Sequence, residues 1–310
     1  MNYTAITRIL MLLGTPTLRI DRDAFQIRRG SRVISQSSTV APAVRPFLKW
    51  AGGKQWLSPT APALSPKKFS GRYYEPFLGG GAFFFALEPA KATLTDLNAD
   101  LILTYKAVAR RLDAVIERLI TYPYNRRFFE SIRSVRPTSQ AEIAARFIYL
   151  NRTCWNGLYR VNQNGDFNTP FGRYVNPTVC DQDRLAKASA LLRRAEIRCA
   201  DFEDAVSTAR KGDFVYFDPP YITKHTHNGF LKYNAPLFSW EDQKRLAALS
   251  RRLSDAGVFV LVSNSTHESV QRLYSGFRMH KVARRSLIGG SNDVRGWSDE
   301  SLISSYPLIK

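Results

Sequence analysis

Short apolar runs alternate with amphipathic stretches along most of this chain. Phe214–Phe217 is apolar at every position and reads as a strand buried on both faces, and Val258–Val262 reads the same way. Strands are also predicted at Arg72–Glu75, Ala92–Thr95 and Glu196–Cys199, with weaker signals at Met279–Val282 and Leu302–Ser305. Helical periodicity fits Ala82–Leu87, one long stretch Asp100–Leu119, Trp240–Asp255 and Glu268–Leu273. Strand–helix alternation of this kind predicts a doubly wound α/β sheet. Between about 122 and 190 the strand signals fade. Helical pieces at Ala141–Leu150 and Gln182–Arg194 flank an irregular Asn/Gly/Arg-rich segment, Asn151–Tyr174. That region is expected to be a helical insert forming a second, smaller module.

Residues 1–45 differ from the rest. They carry seven arginines against Asp21 and Asp23 and end in the small, polar run Ser35–Val44. Short strands fit Leu18–Ile20 or Phe25–Ile27, but the composition reads as a flexible basic arm, or as residues upstream of a native start.

Charge changes the picture most. The 310 residues hold 45 Lys and Arg against 26 Asp and Glu, a net charge of +19. An excess of this size favours a polyanionic partner, nucleic acid before an anionic membrane. No apolar run approaches the ~18 residues that would cross a bilayer, so no membrane role is expected. Three cysteines without CxxC spacing, Cys154, Cys180 and Cys199, offer neither a disulfide framework nor a zinc site and suit a reducing cytoplasm.

Two segments carry candidate chemistry. In Tyr74-Glu-Pro-Phe-Leu-Gly-Gly-Gly-Ala82 a strand runs through glycines into a helix, and Asp96 ends the next strand. An acid about 20 residues on is where a ribose diol is held, which points to an adenosine-containing cofactor. In Phe214-Val-Tyr-Phe-Asp-Pro-Pro-Tyr221 a buried strand is broken by two prolines, where ligands sit in α/β sheets. The Asp218 carboxylate and the Pro219 carbonyl are acceptors beside the Tyr221 ring. Such a site suits a planar group bearing an NH2. His225 and His227 lack supporting carboxylates for a metal, and Ser263 lacks a nucleophile elbow. No metal is expected.

With these segments in hand, the chain resembles the Dam-type DNA adenine-N6 methyltransferases of the D12 class, which use S-adenosylmethionine (SAM). The resemblance runs from Pro46 to about Tyr306. Four segments carry it in order: Phe47–Lys54, Glu75–Gly81 with Asp96, Asn156–Arg160 through Phe167–Tyr174, and Asp218–Tyr221. It implies a Rossmann-like, SAM-dependent methyltransferase fold, with residues 46–120 and 191–310 as the SAM-binding catalytic domain and 121–190 as the target-recognition insert. By the same resemblance Trp50, Ala51 and Lys54 close over the methionine part of SAM, and Phe77 and Gly79 line its pocket. Asp96 takes the ribose hydroxyls, and Asp201 and Phe202 flank the cofactor adenine. Asp218, Pro219, Pro220 and Tyr221 hold the target adenine. Lys49, Trp155, Asn156, Leu158, Arg160 and Pro170 contact double-stranded DNA, with Arg160 reading a guanine edge. Trp155 stands where the family commonly has Tyr, and the long arm is a further departure. A cognate restriction endonuclease is a candidate partner, and a cytoplasmic, nucleoid-associated bacterial or phage protein is implied.

The insert argues for DNA independently, through Arg146, Arg152, Arg160 and Arg173 with Trp155, Tyr159 and Phe167 interleaved. Arg278, Lys281, Arg284 and Arg285 form a second basic set, either phosphate contacts or a solvated rim. The rival readings are a cytosine-N4 methyltransferase, an RNA or protein-amide methyltransferase, and a catalytically inactive DNA-binding relative.

Overall fold

Ten strands form a single sheet, its centre built from apolar runs such as Phe214–Phe217 and the first half of Phe259–Ser265. In the computed structural model the described residues are 43–67, 69–162, 164–221, 238–285 and 297–308, with main chain alone for 17–20, 25–29, 32–34, 283–285 and 297–298. The strands are β1 (Thr17–Ile20), β2 (Phe25–Arg29), β3 (Arg32–Ile34), β4 (Tyr73–Glu75), β5 (Ala92–Asp96), β6 (Ala195–Cys199), β7 (Phe214–Phe217), β8 (Phe259–Ser265), β9 (Arg278–Arg285) and β10 (Trp297–Ser304). Their order is β3-β2-β1-β9-β10-β8-β7-β4-β5-β6. The stretch from β6 through β5, β4 and β7 to β8 is parallel, while β10 runs antiparallel to both β8 and β9. The seven strands β4–β10 thus make a mostly parallel sheet closed by a C-terminal antiparallel hairpin, the arrangement of a SAM-dependent methyltransferase fold.

Ten α-helices are described: α1 (Ala61–Leu64), α2 (Ala82–Leu87), α3 (Ala99–Arg110), α4 (Leu112–Ile120), α5 (Arg126–Ser134), α6 (Gln140–Thr153), α7 (Gln182–Leu192), α8 (Phe202–Ala205), α9 (Trp240–Asp255) and α10 (Glu268–Leu273). They cover both faces of the sheet. Strand alternation sends Tyr216 and Leu261 to a core shared with α2, α3 and α6, and sends Val215, Phe217, Val260 and Val262 to a core shared with α8, α9 and α10. Phe83 packs at the centre of the first core, stacked on Tyr216 at 4.2 Å and on Tyr73 at 6.2 Å. Truncating a side chain so enclosed costs about 3–5 kcal/mol.

Three expectations change. The predicted helix Asp100–Leu119 is two helices, because Arg111 leaves helical geometry at φ −137° and ψ 37°. The 121–190 insert does not bury a separate core: Phe129, Phe147 and Phe167 pack in one continuous cluster with Tyr73 and Phe214 of the sheet. In the segment expected as a flexible arm, β1 pairs in parallel with β9 and antiparallel with β2, which continues to β3. The free edge of β9 accepts it, since unpaired strand edges offer a row of donors and acceptors.

Candidate active site and DNA-binding face

The site forms at the C-terminal ends of β4, β5 and β7, where these neighbouring parallel strands all release their chains on the same side. β4 passes into Gly79–Gly81, and Gly79 takes φ +47°, the left-handed region that suits glycine. A β-carbon there would stand 2.6 Å from Trp50 Cδ1, so the indole lies directly over the glycine turn. Trp50 stacks in turn near Phe147, with centroids 6.4 Å apart. Asp96 ends β5 and accepts the Gly79 N–H and the Asn98 N–H, each at 2.9 Å, one per carboxylate oxygen. Burial raises its pKa, and those N–H donors oppose the rise. Asp96 is half-buried at the strand end, and its carboxylate oxygens keep acceptor capacity toward hydroxyl groups.

Phe77 is enclosed by Phe202 at 5.5 Å and Phe238 at 5.6 Å. Asp201 caps α8 by accepting the Glu203 N–H, and the same oxygen accepts from Arg245 at 3.1 Å. Arg245 also lies over the Phe202 ring at 4.8 Å and reaches Asp242 and Glu203. The acidic–aromatic pair is therefore set beside Phe77, with one arginine organising both members.

At the end of β7 the chain turns through Asp218, buried Pro219, and Pro220 to Tyr221. Lys54 Nζ lies 2.6 Å from Asp218 Oδ1, 2.9 Å from the Gly52 carbonyl and 4.8 Å from the Tyr221 ring centroid. The sequence reading put Lys54 at the methionine end of a cofactor. In this structure its ammonium meets the Asp218 carboxylate, since a buried lysine needs a counter-charge. The exposed Ala51 lies in the turn between Trp50 and Lys54. Glu300, buried on β10, accepts the Tyr221 hydroxyl at 2.8 Å and lies 3.8 Å from Lys54 Nζ. Burial, reinforced by the Asp218 and Glu300 charges, pushes the Tyr221 hydroxyl well above its usual range, so it stays a donor. Below this cluster Glu75 is fully enclosed. It accepts from Tyr73 Oη at 2.7 Å and Phe84 N at 3.0 Å, and burial raises its pKa to about 8 against those bonds.

Nothing in local sequence marks Glu300 or the buried Asn151 as part of this region. Asn151 Oδ1 accepts the Lys49 N–H at 2.8 Å, and its Nδ2 donates to the Lys49 carbonyl at 2.7 Å and the Gly157 carbonyl at 3.2 Å. Lys49 Nζ lies 4.4 Å from the Tyr174 ring centroid, and burial lowers its pKa. Asn156 and Gly157 both have positive φ, and they turn the chain out of α6 into a hairpin. The tip is at Asn162–Asp166, where Asn162 donates to the Asp166 carbonyl. The hairpin is held by Val161 bridged to Phe167 and by Thr169 Oγ1 donating to the Leu158 carbonyl. Trp155 is 51% exposed, and its N–H donates to the carbonyl of exposed Pro170. Arg160 is exposed, with Nε donating to Asn168 Oδ1 at 2.7 Å.

The arginine and aromatic set of the insert is smaller than the sequence reading expected. Arg146 is buried and donates to the Ile132 and Arg133 carbonyls, and Arg152 donates twice to the Thr178 carbonyl. Phe167 is core, and Tyr159 stacks on Phe147 at 3.9 Å. Trp155, Arg160 and Arg173 remain on the outer face. In the second basic set Lys281 pairs with Asp299 at 2.6 Å, and Arg278 is exposed. Ser263 is buried and bonded to the Tyr216 hydroxyl at 2.8 Å, a structural use. Burial pushes the Cys154 thiol up to about 12, so it carries no thiolate near neutral pH. His225 and His227 lie outside the described residues. Among the described residues no helix is long and apolar enough to cross a membrane.

Comparison with known proteins bears on this geometry. Residues 50–288 match the family described as D12 class N6 adenine-specific DNA methyltransferase. The type II methyltransferase M1.LlaDCHI of Lactococcus lactis subsp. cremoris is 39% identical over 273 residues, covering 85% of this chain and 96% of that protein. The type II methyltransferase M.MjaIII of Methanocaldococcus jannaschii is 37% identical over 275 residues, covering 81% and 95%. The DNA adenine methylase of Escherichia coli is 31% identical over 277 residues, covering 86% and 96%.

Proposed function

This chain belongs to the D12 class of N6 adenine-specific DNA methyltransferases, and from that premise we propose that it methylates adenine within GATC or a closely related site, on a base turned out of the duplex. The class uses SAM, which supplies an electrophilic methyl group on a sulfonium sulfur. The residues present fit that donor. Asp96 offers a carboxylate to a ribose diol, the Gly79 turn lets main chain come close under Trp50, and Asp201 and Phe202 offer an acceptor and an apolar wall.

The observation that carries the reading is the cluster of Asp218, Tyr221 and Lys54 at the end of β7. The amino lone pair of adenine is conjugated into the ring and is a poor nucleophile. Asp218 and the Pro219 carbonyl would accept its two N–H bonds and localise that lone pair on nitrogen. Pro220 helps hold those acceptors, because the paired prolines restrict the loop. Tyr221 would stack on the base. Transfer is then an in-line displacement in which positioning supplies much of the acceleration. Asp218 needs no strong basicity, since the proton leaves after the nitrogen has become cationic. A base inside a duplex cannot reach such a pocket, which is the reason for turning it out.

Recognition would fall to the insert. Arg160 would take a guanine edge, Trp155 would act as an aromatic wedge, and Asn156, Leu158 and Pro170 would shape the hairpin. Lys49 would contact the base pair flanking the target. The type II relatives favour pairing with a cognate restriction endonuclease, and the bacterial, archaeal and phage origin of the relatives favours action on nucleoid or phage DNA.

Replacing Asp218 with alanine tests the reading. Methyl transfer to duplex DNA should fall by a thousandfold or more while SAM affinity, measured by calorimetry, stays within a few fold. Near-normal turnover would remove Asp218 from the chemistry.

A further inference from the structure

β10 brings to the catalytic loop a carboxylate that the Asp-Pro-Pro-Tyr segment does not encode. Glu300 is 2% exposed, and its Oε2 accepts the Tyr221 hydroxyl at 2.8 Å across 79 positions of sequence. The same oxygen lies 3.8 Å from Lys54 Nζ, and Lys54 in turn meets Asp218 at 2.6 Å. The position of Glu300 is itself rigid, paired with Ser265 of β8 on one side and Val282 of β9 on the other.

The two prolines before Tyr221 restrict its main chain but leave its ring to rotate about two side-chain torsions. A stacking platform is effective only when its plane is set before the base arrives. A hydrogen bond from the outer end of the ring to a strand-borne carboxylate sets that plane. Burying a carboxylate is costly unless it is paired and hydrogen-bonded, and here Lys54 and Tyr221 supply both.

We propose that Glu300 is a positioning residue that orients Tyr221 for the target adenine by accepting its hydroxyl. The proposal rests on the reading of Asp218 and Tyr221 as the adenine-holding pair. It predicts that Tyr221 acts through its hydroxyl as well as its ring face, and that Glu300 and Tyr221 form one functional unit.

Full-length Glu300→Ala, Glu300→Gln, Tyr221→Phe and the Glu300→Ala, Tyr221→Phe double variant test it. Each is assayed with labelled SAM and a short duplex, and a second duplex carries 2-aminopurine at the target position. Glu300→Ala should lower kcat tenfold or more with SAM affinity within twofold. Glu300→Gln keeps an acceptor and should stay within about threefold of the unsubstituted chain. Tyr221→Phe should reproduce most of the loss, and the double variant should be no slower than the slower single one. On Glu300→Ala the bound 2-aminopurine should be brighter, because the base is turned out but poorly stacked. Unchanged kcat in Glu300→Ala, or losses that multiply in the double variant, would overturn the tether. If Glu300→Ala does not fold, Tyr221→Phe decides, since it removes only the hydroxyl: unchanged kcat overturns the tether, and a tenfold loss with unchanged SAM affinity supports it. Adenine methylation by the unsubstituted chain tests the underlying reading separately, so the two failures are distinguishable.

Discussion

Asn151 grips the main chain of Lys49 from both sides, accepting its N–H at 2.8 Å and donating to its carbonyl at 2.7 Å. The same amide holds the Gly157 carbonyl. One buried side chain therefore ties the loop that carries Trp50 and Lys54 to the base of the hairpin that carries Arg160. Replacing Asn151 with alanine leaves buried main-chain groups unpaired, each costing about 1–3 kcal/mol. Urea unfolding should show a loss of roughly 2–4 kcal/mol, and discrimination between the preferred site and its single-base variants should narrow. Unchanged stability and unchanged discrimination would show that the clasp couples nothing.

Gly157 is the other half of that junction. Its φ is +67°, and an added β-carbon would stand 2.5 Å from Lys49 Cβ. Gly157→Ala combines backbone strain of about 1 kcal/mol or more with a steric overlap that only movement of Lys49 relieves. The expected result is weakened DNA binding with SAM affinity preserved, measured by fluorescence anisotropy and calorimetry.

Asn151 and Glu300 mark where local sequence patterns stop. The strands β4–β8 and the helix α2 were legible because apolar runs and periodicity are local, and Asp96 and Asp218 because each ends a strand at a turn. Asn151 looked like one polar residue among many in an irregular segment, and Glu300 like the acid of a half-buried strand. Their roles depend on partners 102 and 79 positions away, which no local pattern encodes. Arg146 failed in the opposite direction. It matched a basic DNA-facing pattern, yet it serves to satisfy the carbonyls that end α5, a task set by helix packing. The helix α5 itself was missed because its apolar face rests on only Phe128, Phe129 and Ile132 across nine residues, a short signal in a basic segment.

Glu75 makes stability depend on pH. Its pKa is raised to about 8 in the folded state, so the folded chain binds a proton that the unfolded chain releases above about 4.3. Its stabilising contribution is full below that unfolded value and is lost as pH rises toward 8, at most about 1.4 kcal/mol per pH unit. Glu75→Gln keeps an acceptor for Tyr73 and Phe84 without an ionisable group. It should flatten this part of the profile and gain stability relative to the unsubstituted chain at pH 8, as read by urea midpoints at pH 5, 6.5 and 8. Parallel profiles would mean that Glu75 does not titrate in this range.

Arg160 is exposed on the hairpin and braced by Asn168, a geometry suited to presenting a guanidinium to a base edge. Bidentate contact with guanine is worth about 1–3 kcal/mol of discrimination, whereas a phosphate contact weakens all DNA alike and lowers the salt slope by about one unit. Arg160→Ala should relax preference at one guanine of the site and leave affinity for unrelated DNA nearly unchanged. Methylation rates on the preferred site and its single-base variants check this, and a uniform drop would assign Arg160 to the backbone.

The most direct measurement is single-base methylome sequencing of DNA from cells expressing the unsubstituted chain or Asp218→Ala. The predicted result is N6-methyladenine confined to one short motif, GATC or a close relative, and absent with Asp218→Ala. N4-methylcytosine, no modified base, or N6-methyladenine that persists with Asp218→Ala would contradict the account.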